Sequence, residues 1–242
     1  MKKILSLEKI LQQQGFGTRK ECKYLIYHQR VLVNNILCDN PYAEFEMQNL
    51  QIKVDDIDWI CQQNFLLLMN KPINYECSQK PTHYPSVMEL LPQNLRQINI
   101  QTIGRLDANT SGLLLLTDNG KLNHFLTSPK HKIPRIYHAT CDRKISQESI
   151  KLLQKGVLLR NEKNISKIQS VQIINAENNI LEIVLNEGKY HEVRRLIAAV
   201  GNHVNELKRI AFGEFSLLQN EYKNLNEGEF VIIKDFDFEK FL

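Results

Sequence analysis

No apolar run in the sequence comes near the roughly 18 residues that a membrane-spanning helix takes; the longest clear ones are Phe65 to Met69 and Leu113 to Leu116. A soluble protein is expected. The start, Met1-Lys2-Lys3, imitates the basic end of a secretory leader. Glu8 and Lys9 interrupt the apolar stretch that would have to follow, so the expected compartment is the cytoplasm. Cysteine is sparse: five residues, at 22, 38, 61, 77 and 141, an odd number with no Cys-x-x-Cys, which argues against a disulfide framework and a zinc site alike. The seven histidines are scattered, His131 and His138 lie seven positions apart and His191 has no second ligand nearby, so no metal is expected. There is no P-loop and no dinucleotide fingerprint, and Ser111 lies outside a Gly-x-Ser-x-Gly elbow. These absences argue against triphosphate, nicotinamide and serine-hydrolase chemistry. Neither a fixed-period repeat nor a low-complexity tract is present.

What is there suits one or two globular domains: 242 residues, 43% hydrophobic and 24% charged. Net charge is only +4, but it is unevenly spread. Residues 1 to 33 carry seven Lys and Arg against Glu8 and Glu21, residues 34 to 60 one base against six acids, residues 121 to 144 six bases against Asp142, and the tail from Glu214 three bases against seven acids. Basic faces with acidic ends fit either ordinary solvated surface or a polyanion site.

The first sixty residues read as a small unit. Leu7, Ile10 and Leu11 repeat at helical spacing and Gly15 supplies the stop; Thr18 with Glu21 forms a capping box, and Cys22, Leu25 and Ile26 make the stripe of a second helix. That leaves Arg19, Lys20, Lys23 and Arg30 pointing largely outward. A hairpin is expected over 31–33 and 36–37 about Asn34-Asn35, with a closing strand over 51–54. The acidic run 55–58 then reads as a boundary, giving domains over 1–58 and 59–242. Beyond it the pattern predicts strands near 65–69, 113–117, 135–141, 168–174, 180–185, 207–211 and 229–233. Helices fall near 120–127, 146–154 and 190–200, and Ser86 with Glu89 caps a short one ended by Pro92. The fold class is α+β with a mostly antiparallel sheet.

One loop concentrates chemical potential. Gly104-Arg105-Leu106-Asp107 precedes Thr110-Ser111-Gly112 and an apolar strand, so a carboxylate and a guanidinium flank a turn fixed by rigid structure. The plain alternative is a surface turn with an Arg to Asp ion pair. An aspartate beside a cation stays ionised at neutral pH, which suits a nucleophile or electrostatic stabiliser better than an acid. Arg105, Arg194 and Arg195 are candidate cations. Tyr137 and Tyr190 suit a stacking platform or a proton-handling phenol, or, in the plainer reading, core.

These residues lie within longer segments. GRLDANTSGLLLLTDNG (104–120) resembles the signature of the RsuA/RluB/RluE/RluF-type rRNA pseudouridine synthases. LLLMNKPINYECS (66–78), LTSPKHKIPRIYHAT (126–140) and NEGKYHEVRRLIAAVGNHV (186–204) resemble further motifs of that family in the same order. GFGTRKEC (15–22) is similar to the small RNA-binding module called the S-four domain, and KGVLLRNEKNISK (155–167) resembles the RsuA branch, which acts on small-subunit (16S) rRNA.

The resemblance implies a small N-terminal RNA-binding domain and a larger catalytic domain with a mostly antiparallel mixed sheet. It implies Asp107 as the catalytic carboxylate, Tyr137 as the ring against the target base and Arg194 as the cation paired with Asp107. Arg105 is expected beside the flipped nucleotide, and Arg19, Lys20, Lys23, Arg30, Lys71, Lys130 and Arg135 are expected to contact RNA. No cofactor is implied, because the isomerisation is redox neutral and takes up no outside group. The expected partner is rRNA with an unpaired target uridine, free or in an assembling ribosomal particle, met by a monomer. Rival expectations are a large-subunit (23S) rRNA synthase, a non-catalytic RNA-binding assembly factor and, less supported, a hydrolase using Asp107. Three positions depart from the family pattern: Asn74 where glycine is usual, Ile136 where threonine commonly precedes the tyrosine, and Glu192 where glutamine is common. Asn tolerates left-handed backbone angles, so the first is mild.

Overall fold

A computed structural model describes residues 4–159, 162–234 and 236–241. The N-terminal unit begins with a short strand, Ile4–Ser6, which pairs with Glu44–Glu46 and feeds helix α1 (Leu7–Gln13). Leu7, Ile10 and Leu11 are fully buried, and Gly15 ends the turn with φ +80. Helix α2 (Arg19–Tyr27) starts on the expected capping box: Thr18 N donates to Glu21 Oε2 at 2.7 Å while Glu21 N donates to Thr18 Oγ1 at 3.4 Å. Four antiparallel strands complete the unit: β1 (Val31–Val33), β2 (Ile36–Leu37), β3 (Gln51–Val54) and β4 (Ile57–Ile60), in the order β2-β1-β3-β4. Asn34 and Asn35 have φ +49 and +64, as a tight hairpin turn requires.

The boundary expected at 55–58 is corrected. Asp55 and Asp56 form the turn of a second hairpin, Ile57–Ile60 pairs with Gln51–Val54, and Cys61 lies in the core with Leu7, Ile26 and Val54. Acidic residues in a short antiparallel turn look like a linker in sequence because both are polar and turn-forming. The segment after this hairpin is tied to the first helix: Gln14 donates to Gln62 O at 2.9 Å and accepts from Gln62 N and Trp59 Nε1 at 3.0 Å each. Across the junction Trp59 packs 6.1 Å from Phe65, and Asn94 Nδ2 donates to Gln14 O at 3.5 Å. A Cβ on Gly15 would sit 1.8 Å from Asn94 O, so glycine here serves both the turn and the close approach of the larger unit.

The larger unit is built on strands β5 (Leu66–Lys71), β6 (Ser111–Thr117), β7 (Arg135–Cys141), β8 (Ser170–Asn175), β9 (Ile180–Leu185), β10 (Val204–Phe212) and β11 (Phe230–Ile232). They lie in the order β8-β9-β7-β10-β6-β5-β11, with Gln101–Thr102 and Phe215–Ser216 paired alongside. Along this path only β6 and β10 are parallel, through Ser111 with Lys208 and Gly112 with Arg209. The apolar runs that open β5 and fill β6 are buried on both faces. Leu67, Met69, Leu114 and Leu116 enter one core, under α3 (Glu192–Ala199), whereas Leu66, Leu68, Leu113 and Leu115 enter another, with Leu122 and Leu126 of the helix Gly120–Thr127. Period-two alternation with both faces covered explains why these segments read as unbroken hydrophobic runs.

Between Ile136 and Tyr137 the pairing of β7 with β10 shifts by one residue: Ile136 faces Ala211 but Tyr137 faces Arg209. Such a bulge re-aims the side chains beside it. The expected helix after Ser86 has its capping box but runs only as a single turn, Val87–Leu90, before a short helix, Gln93–Arg96. Leu91 precedes Pro92 and takes the extended conformation, which stops the turn. Within 155–167 the pairs Val157–Leu158 and Ile165–Ser166 form a small ladder; Arg160 and Asn161, which the sequence reading included, lie outside the described residues.

Candidate active site

Asp107 lies on the loop that leads into β6, and its backbone is fixed from several sides. Lys71, fully buried at the end of β5, donates its ammonium to Pro72 O at 2.9 Å, Asp107 O at 3.2 Å and Thr110 O at 2.9 Å. Thr110 N donates to Asp107 O, and Asn74 N donates to Ala108 O at 2.7 Å. Asn74 has φ +62, the left-handed angle for which asparagine substitutes for glycine. Lys71 is therefore corrected from an RNA contact to an internal clamp. Burial holds its ammonium below the usual lysine range, while Asp107 and Glu227 pull it back up.

Below this loop opens a cavity of about 380 Å³. Asp107, Tyr137, Arg105, Arg135, Arg209 and His191 all line it, so the structure brings together residues from four distant parts of the chain. Tyr137 is 8% exposed, packed into the main core and lining this space. Arg105 is exposed at the cavity wall, and Lys130 is exposed on the turn beside Pro129 at its edge. Arg135 is buried instead: Nη1 donates to Ile133 O at 3.1 Å, the guanidinium lies 4.9 Å from the Phe212 ring centroid, and burial lowers its pKa. It belongs to the cavity floor.

The expected contact between Arg194 and Asp107 is also corrected. Arg194 donates to Val204 O at 2.7 Å and to Asn109 O at 3.1 Å, so it braces the Asp107 loop through its backbone. Burial lowers its pKa and the nearby Asp107 charge raises it, an attraction without contact. The side chain that does approach the Asp107 carboxylate is His191, whose Nε2 lies 3.4 Å from Oδ1. His191 has φ +49 and stacks on Tyr190 at 3.9 Å between ring centroids; Tyr190 is 71% exposed. Arg195 turns away and donates to Glu162 Oε1 at 3.0 Å.

His191, Glu192 and Arg209 are lining residues that sequence reasoning passed over as site groups. The signal for Arg209 was available: in Leu207-Lys208-Arg209 it shares the inward face with Leu207 by strand alternation. Glu192 is 4% exposed, accepts from Lys189 N at 2.9 Å through Oε2, and leaves Oε1 buried without a partner. Burial pushes its carboxyl pKa up. The N-terminal cations are mostly engaged. Arg19 Nε donates to the buried Glu8 at 2.9 Å, Lys23 lies 3.2 Å from the other Glu8 oxygen, and Arg30 binds Asp55 at 2.6 and 2.7 Å. Lys20 is exposed.

A carboxylate at the mouth of a cleft, a tyrosine ring inside it and cations along its wall can hold and attack a flat polar substrate at its sugar. The model of the family described as RNA pseudouridylate synthase matches residues 65–199, which span this site. Ribosomal small subunit pseudouridine synthase A of Escherichia coli is 32% identical over 231 residues, covering 93% of this chain and 98% of that protein. An RNA pseudouridine synthase of Bacillus subtilis, YtzG, is 29% identical over 238 residues, covering 96% and 99%. A crystal structure of a pseudouridylate synthase superposes with a TM-score of 0.67 at 28% identity, over 98% of this chain and all of the other. Family model, near full-length relatives and fold agree: this chain belongs to the RNA pseudouridylate synthases, isomerases that act on uridine in RNA.

Proposed function

We propose that the protein converts one uridine of small-subunit ribosomal RNA to pseudouridine, with Asp107 as the reacting carboxylate. The observation that carries the proposal is the meeting of Asp107 and Tyr137 in one cleft walled by Arg105 and floored by Arg135. The near full-length similarity to a small-subunit synthase supports the choice of RNA. The target nucleotide leaves its stack at a cost of a few kcal/mol, offset by phosphate contacts and by stacking on Tyr137. Asp107 then serves either as nucleophile at the anomeric carbon or as base at the sugar. The glycosidic bond to ring nitrogen breaks, the uracil turns, carbon five joins the sugar, and the proton lost from carbon five is balanced by one gained at nitrogen. Residues 4–61 act as the S-four-like module, with Lys20 and the flanking basic residues on the RNA. The protein works as a cytoplasmic monomer on naked or partly assembled rRNA.

The test uses a host cell lacking its own copy of the enzyme. Wild-type protein is expected to restore one pseudouridine in small-subunit rRNA, read by chemical probing, and Asp107→Asn to restore none. Equal pseudouridine content with both proteins would overturn the proposal, and restoration in large-subunit rRNA would reassign the target.

A further inference from the structure

Three buried cations lie at or beside the cleft, Lys71, Arg135 and Arg209, and among the described residues no carboxylate forms an ion pair with any of them. Lys71 is saturated by its three carbonyls. Arg135 spends Nη1 on Ile133 O. Arg209 is different. It is 1% exposed and donates Nε to Leu113 O at 2.8 Å, and its Nη2 is buried with no partner among the described residues. Its guanidinium lies 5.1 Å from the Phe212 ring centroid, and Arg209 is one of the residues lining the cavity that Asp107 and Tyr137 also line.

A guanidinium stays charged at any physiological pH, so a buried one with an open donor costs stability unless something accepts from it. Lys71 nearby, by contrast, gives its ammonium to three carbonyls. The local build also fixes where this fork points. The β-bulge sets Arg209 opposite Tyr137, and Gly112 lets β6 approach so closely that a Cβ there would sit 2.2 Å from Arg209 O.

Depth then decides which part of a nucleotide Arg209 meets. The Asp107 side chain is 37% exposed, at the mouth, where the sugar must come, and exposed Arg105 and Lys130 are placed for the phosphates. Beyond the sugar, level with Tyr137, only the base can reach. When the bond between the anomeric carbon and ring nitrogen breaks, its electron pair stays with the uracil and spreads onto the two carbonyl oxygens. We propose that Arg209 donates through Nη2 to a carbonyl oxygen of the target uracil and stabilises the negative charge the ring acquires as it detaches. This rests on the reading of the cleft as the uridine-isomerising site.

The test compares wild type, Arg209→Met and Arg209→Lys in single turnover on transcribed small-subunit rRNA carrying either uridine or 5-fluorouridine, followed by digestion and nucleoside analysis. RNA affinity is measured in parallel by filter binding. On uridine RNA, Arg209→Met is expected to lose on the order of a hundredfold in rate, with affinity changed less than about threefold, the range for loss of one preorganised donor to developing charge. Arg209→Lys is expected to recover part of it. Fluorine stabilises the ring anion by itself, so on 5-fluorouridine RNA the deficit in consumption of the fluorinated nucleoside is expected to shrink at least tenfold. A merely structural role predicts the same deficit on both RNAs, and that result, a wild-type rate, or a loss confined to affinity would overturn the proposal. Should Arg209→Met fail to fold, the two-RNA comparison is made with Arg209→Lys and judged the same way. A wild-type protein that isomerises neither RNA while Asp107→Asn behaves identically refutes the assigned function itself, an outcome distinct from a selective failure at Arg209.

Discussion

Single side chains in the cleft are governed by burial of charge. Glu192 sits where an amide would hydrogen-bond equally well, but a carboxylate must be desolvated there; the Glu187 charge adds to that cost, and Lys189 and Arg135 offset it in part. Its pKa in the fold lies above the ordinary 4.5, so below about pH 4.5 both folded and unfolded chains carry the proton and no penalty arises. As pH rises through the folded value the native state must give up the proton it prefers, and stability is lost relative to the unfolded chain. Glu192→Gln should therefore raise the unfolding temperature at pH 7 to 8, with the gain shrinking toward zero near pH 4, in parallel thermal melts of variant and wild type. A gain that does not depend on pH would contradict this. Glu8 behaves oppositely. The hydrogen bond from Arg19 holds its carboxyl below the ordinary range, so the stability it contributes is present above pH 4.5 and fades on acidification.

Among the elements, the meeting of β6 and β10 is the most constrained. It is the parallel pair in an otherwise antiparallel path, and it closes over Gly112, whose φ is +105 and whose hydrogen faces the backbone of Arg209. Gly112→Ala is expected to cost about 2 kcal/mol or more, from an unfavourable backbone angle plus a clash that only strand separation relieves. Denaturant melts measure the first effect, and loss of pseudouridine formation in the surviving folded fraction measures the displacement of Arg209. Helices α1 and α2, the strands with alternating or doubly buried runs and the capping boxes at Thr18 and Ser86 were all legible in sequence, because local chemistry decides them. Asp107 and Tyr137 were legible through the resemblance. Less legible were the strand Ile57–Ile60, hidden by its acidic turn, and the roles of Lys71 and Arg194. Charge type reveals that a cation is present but not whether its partner is a phosphate, a carboxylate or a backbone carbonyl, which depends on residues 36 to 85 positions away. His191 was missed for the same reason, since its contact with Asp107 exists only after α3 has packed on the sheet.

Over the whole molecule, the basic surplus of the first unit is smaller in effect than its count. Buried Glu8 engages Arg19 and Lys23 and exposed Asp55 engages Arg30, and of these the exposed Arg30 pair is the one that salt weakens most. The two units meet through Gln14, Gly15, Trp59 and Gln62 on one side and Phe65 and Asn94 on the other. Gly15→Ala is expected to cost about 1 to 3 kcal/mol of strain. It should also loosen this junction, seen as new proteolytic cuts between Cys61 and Leu66 while the larger unit stays intact. An unchanged cleavage pattern would show that the units hold together by other contacts.

That seam also limits how such proteins can be recombined. A small unit transplanted from another protein onto this larger one must arrive with a residue lacking a side chain where Asn94 presses its carbonyl, and with an amide able to play the part of Gln14. Engineers seeking to redirect the enzyme to a new RNA by exchanging its front end should carry the helix Gln93–Arg96 across with it, treating the donor's turn and its seat as one cassette.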